Sequence, residues 1–196
     1  MTYRYEWNPM PHKVAVRCPD CGREATFEAA TCVRIALKKD VPFFKRHQLF
    51  DYKFVIKPNE RYHVAIYYPG LHGTGTAPID ELPEGYTAED FGPPQYWHEY
   101  GGHRLGTLIC ISCGLRRKHD LKWPGEAFYQ VMVRGEVLWA YDREYAVVLR
   151  DFLASTDRNQ DRFKKSLFLD VIPTHFLTAK VRDEAVAKLD KLLQGT

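Results

Sequence analysis

Cys18-Pro19-Asp20-Cys21-Gly22 and Cys110-Ile111-Ser112-Cys113-Gly114 are the stretches whose reading decides the fold. Each is a Cys-x-x-Cys pair closed by glycine. Two thiolates two residues apart grip one ion, and the backbone beyond them must then turn sharply. Glycine permits the positive φ such a turn needs, and backbone N–H groups along it can point at the sulfurs. Two such pairs meeting in space make a tetrahedral four-thiolate site, which suits zinc, with iron as the alternative. The spacing therefore predicts one Zn²⁺ per chain, held by Cys18, Cys21, Cys110 and Cys113. A thioredoxin-like redox pair would need a strand before it and a helix after it, and it would not come in duplicate. Cys32, the remaining cysteine, reads as a small buried apolar residue, because nothing nearby in sequence announces a base that would activate it.

Eighty-eight residues separate Cys21 from Cys110, against roughly 15–20 in a compact ribbon. Either the ribbon carries a long insertion or a larger sheet brings the two knuckles together. In both cases the metal closes a long loop, and its binding contributes to the folding of residues 13–122.

The rest of the composition bounds the class. With 45% hydrophobic and 27% charged residues among 196, the chain reads as a globular protein and not as a disordered tail or a fibre. Its longest apolar runs, Val137–Tyr141 and Tyr145–Leu149, are far too short to cross a bilayer, so no membrane is expected. Met-Thr-Tyr-Arg-Tyr-Glu-Trp at the start has no apolar core, so no secretory signal is expected. A cytoplasmic location follows from that reading, with the thiols kept reduced.

The formal charge of +3 falls to near +1 once four thiolates hold a divalent ion, so net charge alone makes no case for nucleic acid. The distribution says more. Residues 61–100 hold one basic and six acidic side chains, and residues 101–125 hold five and one. A basic knuckle region thus follows an acidic, Gly/Pro-rich loop over residues 69–97. Arg116, Arg117 and Lys118 directly follow the second knuckle, with Arg104 and Lys122 nearby; on a metal-bound hairpin they are candidates to meet successive phosphates.

Periodicity organises the remainder. Residues 1–12 read as an arm, residues 13–122 as a zinc-containing β domain, and residues 123–196 as a β-hairpin followed by a helical segment. Lys13–Arg17 and Ala25–Ala29 flank the first knuckle as strands of a short hairpin. Phe50, Tyr52, Phe54 and Ile56 fall on one face of a strand, and Tyr62, Val64, Ile66 and Tyr68 on one face of the next. With Pro58-Asn59-Glu60 as the turn, the two predict a hairpin with an aromatic face, packed in a core rather than offered to bases. Arg104–Ile111 and Leu115–Leu121 lead into and out of the second knuckle. Phe128–Val133 and Val137–Tyr141 read as strands joined at Arg134-Gly135-Glu136, although Phe128, Val131 and Met132 also fit a helical turn. From Asp142, a sensible N-cap, Tyr145, Val148, Leu149, Phe152 and Leu153 follow helical spacing. A second helix is expected over 178–193, with Gly195 as its stop. The predicted fold class is α+β: an antiparallel β-rich, zinc-ribbon-containing domain with a long insertion, followed by two C-terminal helices.

No catalytic constellation assembles. His98-Glu99-Tyr100-Gly101-Gly102-His103 fails the zinc-protease motif, since its histidines are five apart and two glycines would break the helix. His72-Gly73-Thr74-Gly75-Thr76 lacks the lysine of a phosphate-binding loop. No Gly-x-Ser-x-Gly elbow is present. The sequence predicts no catalytic residue and favours a protein that is not an enzyme.

The two knuckles resemble those of zinc-ribbon and rubredoxin-like proteins, over about thirty residues around the four cysteines. What the resemblance implies is a small antiparallel sheet around zinc, often in factors that touch nucleic acid or a polymerase; iron-binding electron carriers share the same knuckles. The expected function is non-enzymatic contact with nucleic acid through the basic surface beside the second knuckle. The alternatives are a protein-interaction adaptor or inhibitor with a purely structural zinc, using the acidic loop and exposed aromatics, and a rubredoxin-like iron electron carrier.

Overall fold

Strands and helices follow one another as β1 (Lys13–Arg17), β2 (Glu24–Ala29), β3 (Thr31–Ile35), α1 (Val41–Arg46), β4 (Phe50–Lys57), β5 (Glu60–Tyr67), β6 (Leu105–Ile109), β7 (Arg116–Asp120), β8 (Gln130–Val133), β9 (Glu136–Trp139), α2 (Arg143–Ala154), α3 (Ser166–Leu169) and α4 (Ala179–Gln194). The computed structural model describes residues 10–72, 79, 81–92, 105–157, 163, 166–170 and 172–195. The result is a mixed α+β chain with antiparallel sheets and four helices. It divides into two units, Cys18–Trp123 and Met1–Arg17 with Pro124–Thr196.

In the Cys18–Trp123 unit, β2 pairs antiparallel with β6 and β6 with β7, so β6 is central. Phe27 on β2 and Leu108 on β6 stand opposite each other and are both 1% exposed. The Phe27 ring lies across β6 at Gly106, where an added Cβ would come within 2.4 Å of Phe27 Cζ and 2.3 Å of the Glu28 carbonyl oxygen. Glycine is required there by close approach, not by φ.

A second sheet runs β3-β5-β4. The central strand β5 is buried from Val64 onwards with no alternation, because both faces of this sheet are covered. Cys32, Val55, Tyr62, Val64 and Ile66 form a cluster on one face. Val33, Ile35, Phe50, Ala65 and Tyr67 form another on the opposite face with Phe44 of α1 and Phe91. The acidic loop contributes to this second core. Ile79, Leu82 and Tyr86 pack against it, and Gly92 bridges Cys32, each accepting the other's N–H at 2.8 and 3.0 Å.

The register corrects the expected aromatic face. Lys57 stands opposite Glu60, so the turn has two residues and even-numbered positions of β4 face odd-numbered positions of β5. Phe50, Tyr52, Phe54 and Ile56 therefore share a face with Tyr67, Ala65, His63 and Arg61. Tyr62, Val64 and Ile66 stand on the opposite face. Toward the turn the first row leaves the core, with Phe54 45% and Ile56 63% exposed.

In the other unit, the buried residues Val14, Ala15 and Val16 hold β1 in place. Ala15 N–H donates to Tyr141 at 2.7 Å, and the Ala15 carbonyl accepts from Phe128 N–H at 3.1 Å. β8 and β9 form a hairpin whose turn residues Arg134 and Gly135 have φ of 50° and 84°, the double positive φ that matches strand twist. The alternative helical turn at residues 128–132 is not formed. Asp142 caps α2, its Oδ1 accepting the Tyr145 N–H at 2.9 Å, a contact worth about 0.5–2 kcal/mol. Ala146, Leu149, Phe152 and Leu153 of α2 and Ala185, Leu189 and Leu193 of α4 are buried. Among the described residues three α-helices, not the expected two, follow residue 123, since the four-residue α3 intervenes. Of the arm expected over residues 1–12, residues 1–9 lie outside the described residues.

Gly106→Ala should destabilise the Cys18–Trp123 unit by about 1–3 kcal/mol, the usual cost of overpacking. Urea unfolding followed by tryptophan fluorescence would read it. A midpoint equal to that of the parent would contradict the close approach of Phe27.

Candidate metal centre

The pairing of β2 with β6 ends at Thr26 opposite Ile109. The first knuckle leads into β2 and the second leaves β6, so both turns stand at the same end of adjacent strands. That juxtaposition closes the 88-residue separation, and the sulfurs converge. The Sγ atoms of Cys18, Cys21, Cys110 and Cys113 all lie within 4.8 Å of one another. Cys18 Sγ is 3.7 Å from Cys113 Sγ, and Cys21 Sγ is 3.6 Å from Cys110 Sγ. A tetrahedron with metal–sulfur bonds of about 2.3 Å has edges of about 3.8 Å. The donor set fits a single tetrahedral ion, and the four sulfurs are free thiols, well beyond the roughly 2.05 Å of a disulfide bond.

The two knuckles share one backbone pattern. Cys18 N–H donates to the Arg23 carbonyl at 2.8 Å and Gly22 N–H to the Cys18 carbonyl at 2.9 Å. Cys110 N–H donates to the Leu115 carbonyl at 2.8 Å and Gly114 N–H to the Cys110 carbonyl at 2.9 Å. Gly22 and Gly114 have φ of 74° and 77° with open space at their Cβ positions, so glycine is needed for conformation alone. In each knuckle the first sulfur is buried, at 1% exposure for Cys18 and Cys110, and the second is exposed. Each close sulfur pair joins a buried ligand to the exposed ligand of the other knuckle.

Backbone N–H groups aim at the sulfurs. The Arg23 N–H pulls the Cys21 thiol down, but desolvation and the Cys110 and Cys18 thiols outweigh it and leave it raised. The Leu115 N–H likewise lowers Cys113, where desolvation and three neighbouring thiols prevail and push it up to about 12. At Cys110 desolvation raises the thiol, yet the Cys113 N–H, the adjoining thiols and the Ser112 N–H bring it down to about 7. Cys32 stands apart, in the core of the β3-β5-β4 sheet at 0% exposure. Burial pushes its thiol up to about 12, which keeps it protonated and inert.

The candidate nucleic-acid residues do not form one row. Side chains alternate along β7, so Arg116 and Lys118 share one face and Arg117 takes the other with Leu108 and Phe27. Arg116 Nη1 donates to the Gly70 carbonyl at 2.5 Å. Lys118 Nζ pairs with Asp51 Oδ1 at 2.6 Å and lies 4.8 Å over the Tyr68 ring. Arg117 and Lys122 are exposed. Arg104 lies outside the described residues, as do His98 and His103 and the segment 73–76. His72 is stacked on Tyr67, with centroids 5.6 Å apart.

Tyr52 and Phe54, expected in a core, stand with His63 and Lys45 in one cluster that reaches the surface at Phe54. The alternation in β4 carried the signal for Tyr52 and Phe54; Lys45 sits on a helix too short to show a period. Among the described residues no helix is long and apolar enough to cross a membrane. No protein-family model matches the chain, no curated protein is found similar to it, and no solved structure matches its fold.

Gly114→Ala should weaken metal binding about tenfold, since an alanine at positive φ costs about 1–2 kcal/mol. Affinity should also fall on acidification. Cys21 and Cys113, raised in the metal-free protein, are protonated near neutral pH and must release two protons. A competition titration with a chromophoric chelator should show a loss of at least about a hundredfold per pH unit across roughly pH 6–8, steepening below about 7, where Cys110 also takes up a proton. A pH-independent affinity would contradict thiolate ligation.

Proposed function

We propose that this chain is a non-enzymatic zinc-binding protein of the zinc-ribbon kind, whose ion fixes a surface that contacts nucleic acid. The separation of the four sulfurs carries the first half: four thiolates at tetrahedral spacing complete the coordination of Zn²⁺ and leave no position for water or substrate. Such a site is structural. Zinc suits it better than iron because the ion's task here is to hold two knuckles together, which requires no redox chemistry. A rubredoxin-like iron site shares the geometry and differs in colour and redox response.

The second half rests on the charge of the chain around the knuckles. Residues 101–125 carry five basic side chains against one acidic, and Arg23 and Arg117 are exposed. Arg116 and Lys118 already serve the Gly70 carbonyl and Asp51, so phosphate contact at this surface falls chiefly on Arg117 and Arg23.

Metal analysis of protein purified without added metal should return one zinc per chain and a colourless solution. Chelation should then unfold residues 18–123, visible as loss of far-ultraviolet strand signal. A red protein with one iron would replace the zinc reading. Binding to labelled RNA and DNA should weaken steeply with salt, and Arg23→Glu with Arg117→Glu should weaken it further. One zinc with no binding at low salt would turn the reading to a protein partner, for which Ile111, 94% exposed between two ligands, is the nearest apolar contact.

A further inference from the structure

We propose that the outer edge of β4 binds single-stranded nucleic acid, with a base stacking on Phe54 at the open end of a ring series and phosphates meeting Lys45 and Lys53. The proposal rests on the nucleic-acid reading above and moves recognition from the knuckles to the β4–β5 hairpin.

A groove of about 670 Å³ runs along this strand edge, lined among others by Lys45, Asp51, Tyr52, Lys53 and Tyr68. β4 is the outer strand of the β3-β5-β4 sheet. Among the described lining residues of the groove the one acid, Asp51, is paired with Lys118 at 2.6 Å. Lys45 and Lys53 are exposed, so the groove favours an anion.

Lys53 alternates with Tyr52 and Phe54 along β4 and so flanks the edge from the other face; on the face of Tyr52 and Phe54, next to Lys45, stands a short series of rings. Tyr52 and His63 are stacked at 5.7 Å with planes 28° apart. His63 and Phe54 follow at 4.8 Å and 32°. A hydrogen bond of 2.5 Å between Tyr52 Oη and His63 Nδ1 fixes their spacing. Lys45 Nζ lies 4.5 Å over the Tyr52 ring, at one end of the series. Phe54, at the other end, is 45% exposed. An unpaired base laid on Phe54 extends the series, and the strand's phosphates then follow the groove past Lys53 and Lys45. This union of a basic groove with aromatic platforms is what sequence-tolerant single-strand binding requires.

Edge-strand protection explains only part of the pattern. Lysines on an outer strand deter pairing with other chains, but Phe54 and Ile56 exposed on that strand work against it. A duplex is disfavoured, since its bases are already stacked and cannot reach the rings. An acidic extended peptide would satisfy the lysines and leave the rings without a role.

Fluorescence anisotropy with the zinc-loaded full chain tests this, using ten-nucleotide single-stranded RNA and DNA and the matching duplex at two salt concentrations. Single strands should bind more tightly than duplex. Phe54→Ala and Phe54→Leu should each weaken single-strand binding about tenfold, within the roughly 5- to 150-fold cost of a lost base–aromatic stack, while Phe54→Trp retains it. Lys45→Glu with Lys53→Glu should weaken it more and reduce the salt slope by about one to two. Unchanged zinc content and circular dichroism certify the fold of each variant. If oligonucleotides bind but only Arg23→Glu with Arg117→Glu weakens them, the groove assignment falls and the wider reading survives. If neither RNA nor DNA binds at low salt, both fall. Poly-glutamate bound in place of oligonucleotides, lost in the lysine variant and indifferent to Phe54→Ala, would make the groove a peptide site and overturn the proposal.

Discussion

The antiparallel register that sets Thr26 opposite Ile109 is the constraint on which the metal centre depends. It places the start of β2 beside the end of β6, and the two cysteine turns grow from those ends. A slip of one residue would shift one knuckle by about 3.3 Å and turn Phe27 or Leu108 to the other face. That displacement is nearly the 3.6–3.7 Å separation of the close sulfur pairs, so a slipped sheet could not present a tetrahedron. Register and ion therefore select each other. Gly106 enters the same selection, because any side chain there would collide with the Phe27 ring and the Glu28 carbonyl oxygen. The long chain between the knuckles is a modest obstacle, since closure entropy grows only with the logarithm of loop length.

The site was legible in the sequence and much of its setting was not, for reasons that differ by element. Cys-x-x-Cys-Gly is a local code: ligand type, spacing and the φ of Gly22 and Gly114 are fixed within five residues. Asp142 and the helix it caps are legible for the same reason. The aromatic rows of β4 and β5 were read on one face because Pro58-Asn59-Glu60 was counted as a three-residue turn. A three-residue turn would pair even positions with even; the two-residue turn, with Lys57 opposite Glu60, pairs even with odd. One residue of turn length decided which side chains shared a face. β3 escaped notice because only Ala30 separates it from β2, and α1 because its six residues hold too few turns to show a period.

The basic cluster shows the opposite limit, where neighbours in sequence are not neighbours on a surface. Arg116, Arg117 and Lys118 form a run only in a linear reading. On a strand they divide between two faces, and the two that share a face are engaged by Gly70 and Asp51. Lys45 and Lys53 lie on different elements, eight residues apart with a helix end between them, yet they line one groove. Their meeting depends on α1 packing Phe44 against Phe50, a contact that periodicity cannot foresee.

The Lys118–Asp51 pair ties these two regions of the Cys18–Trp123 unit together. Lys118 belongs to β7, the strand that leaves the second knuckle, and Asp51 lines the groove at β4. Both side chains are nearly half exposed, at 47% and 44%, so the pair itself contributes at most about 1 kcal/mol to stability. Its consequence is electrostatic. With Lys118 in place, the acid in the groove is offset and the exposed lysines dominate; with β7 released from the metal, Asp51 would stand uncompensated beside Lys53. An ion held at the four cysteines would thus act on the groove through the position of one lysine, without touching any residue that lines it.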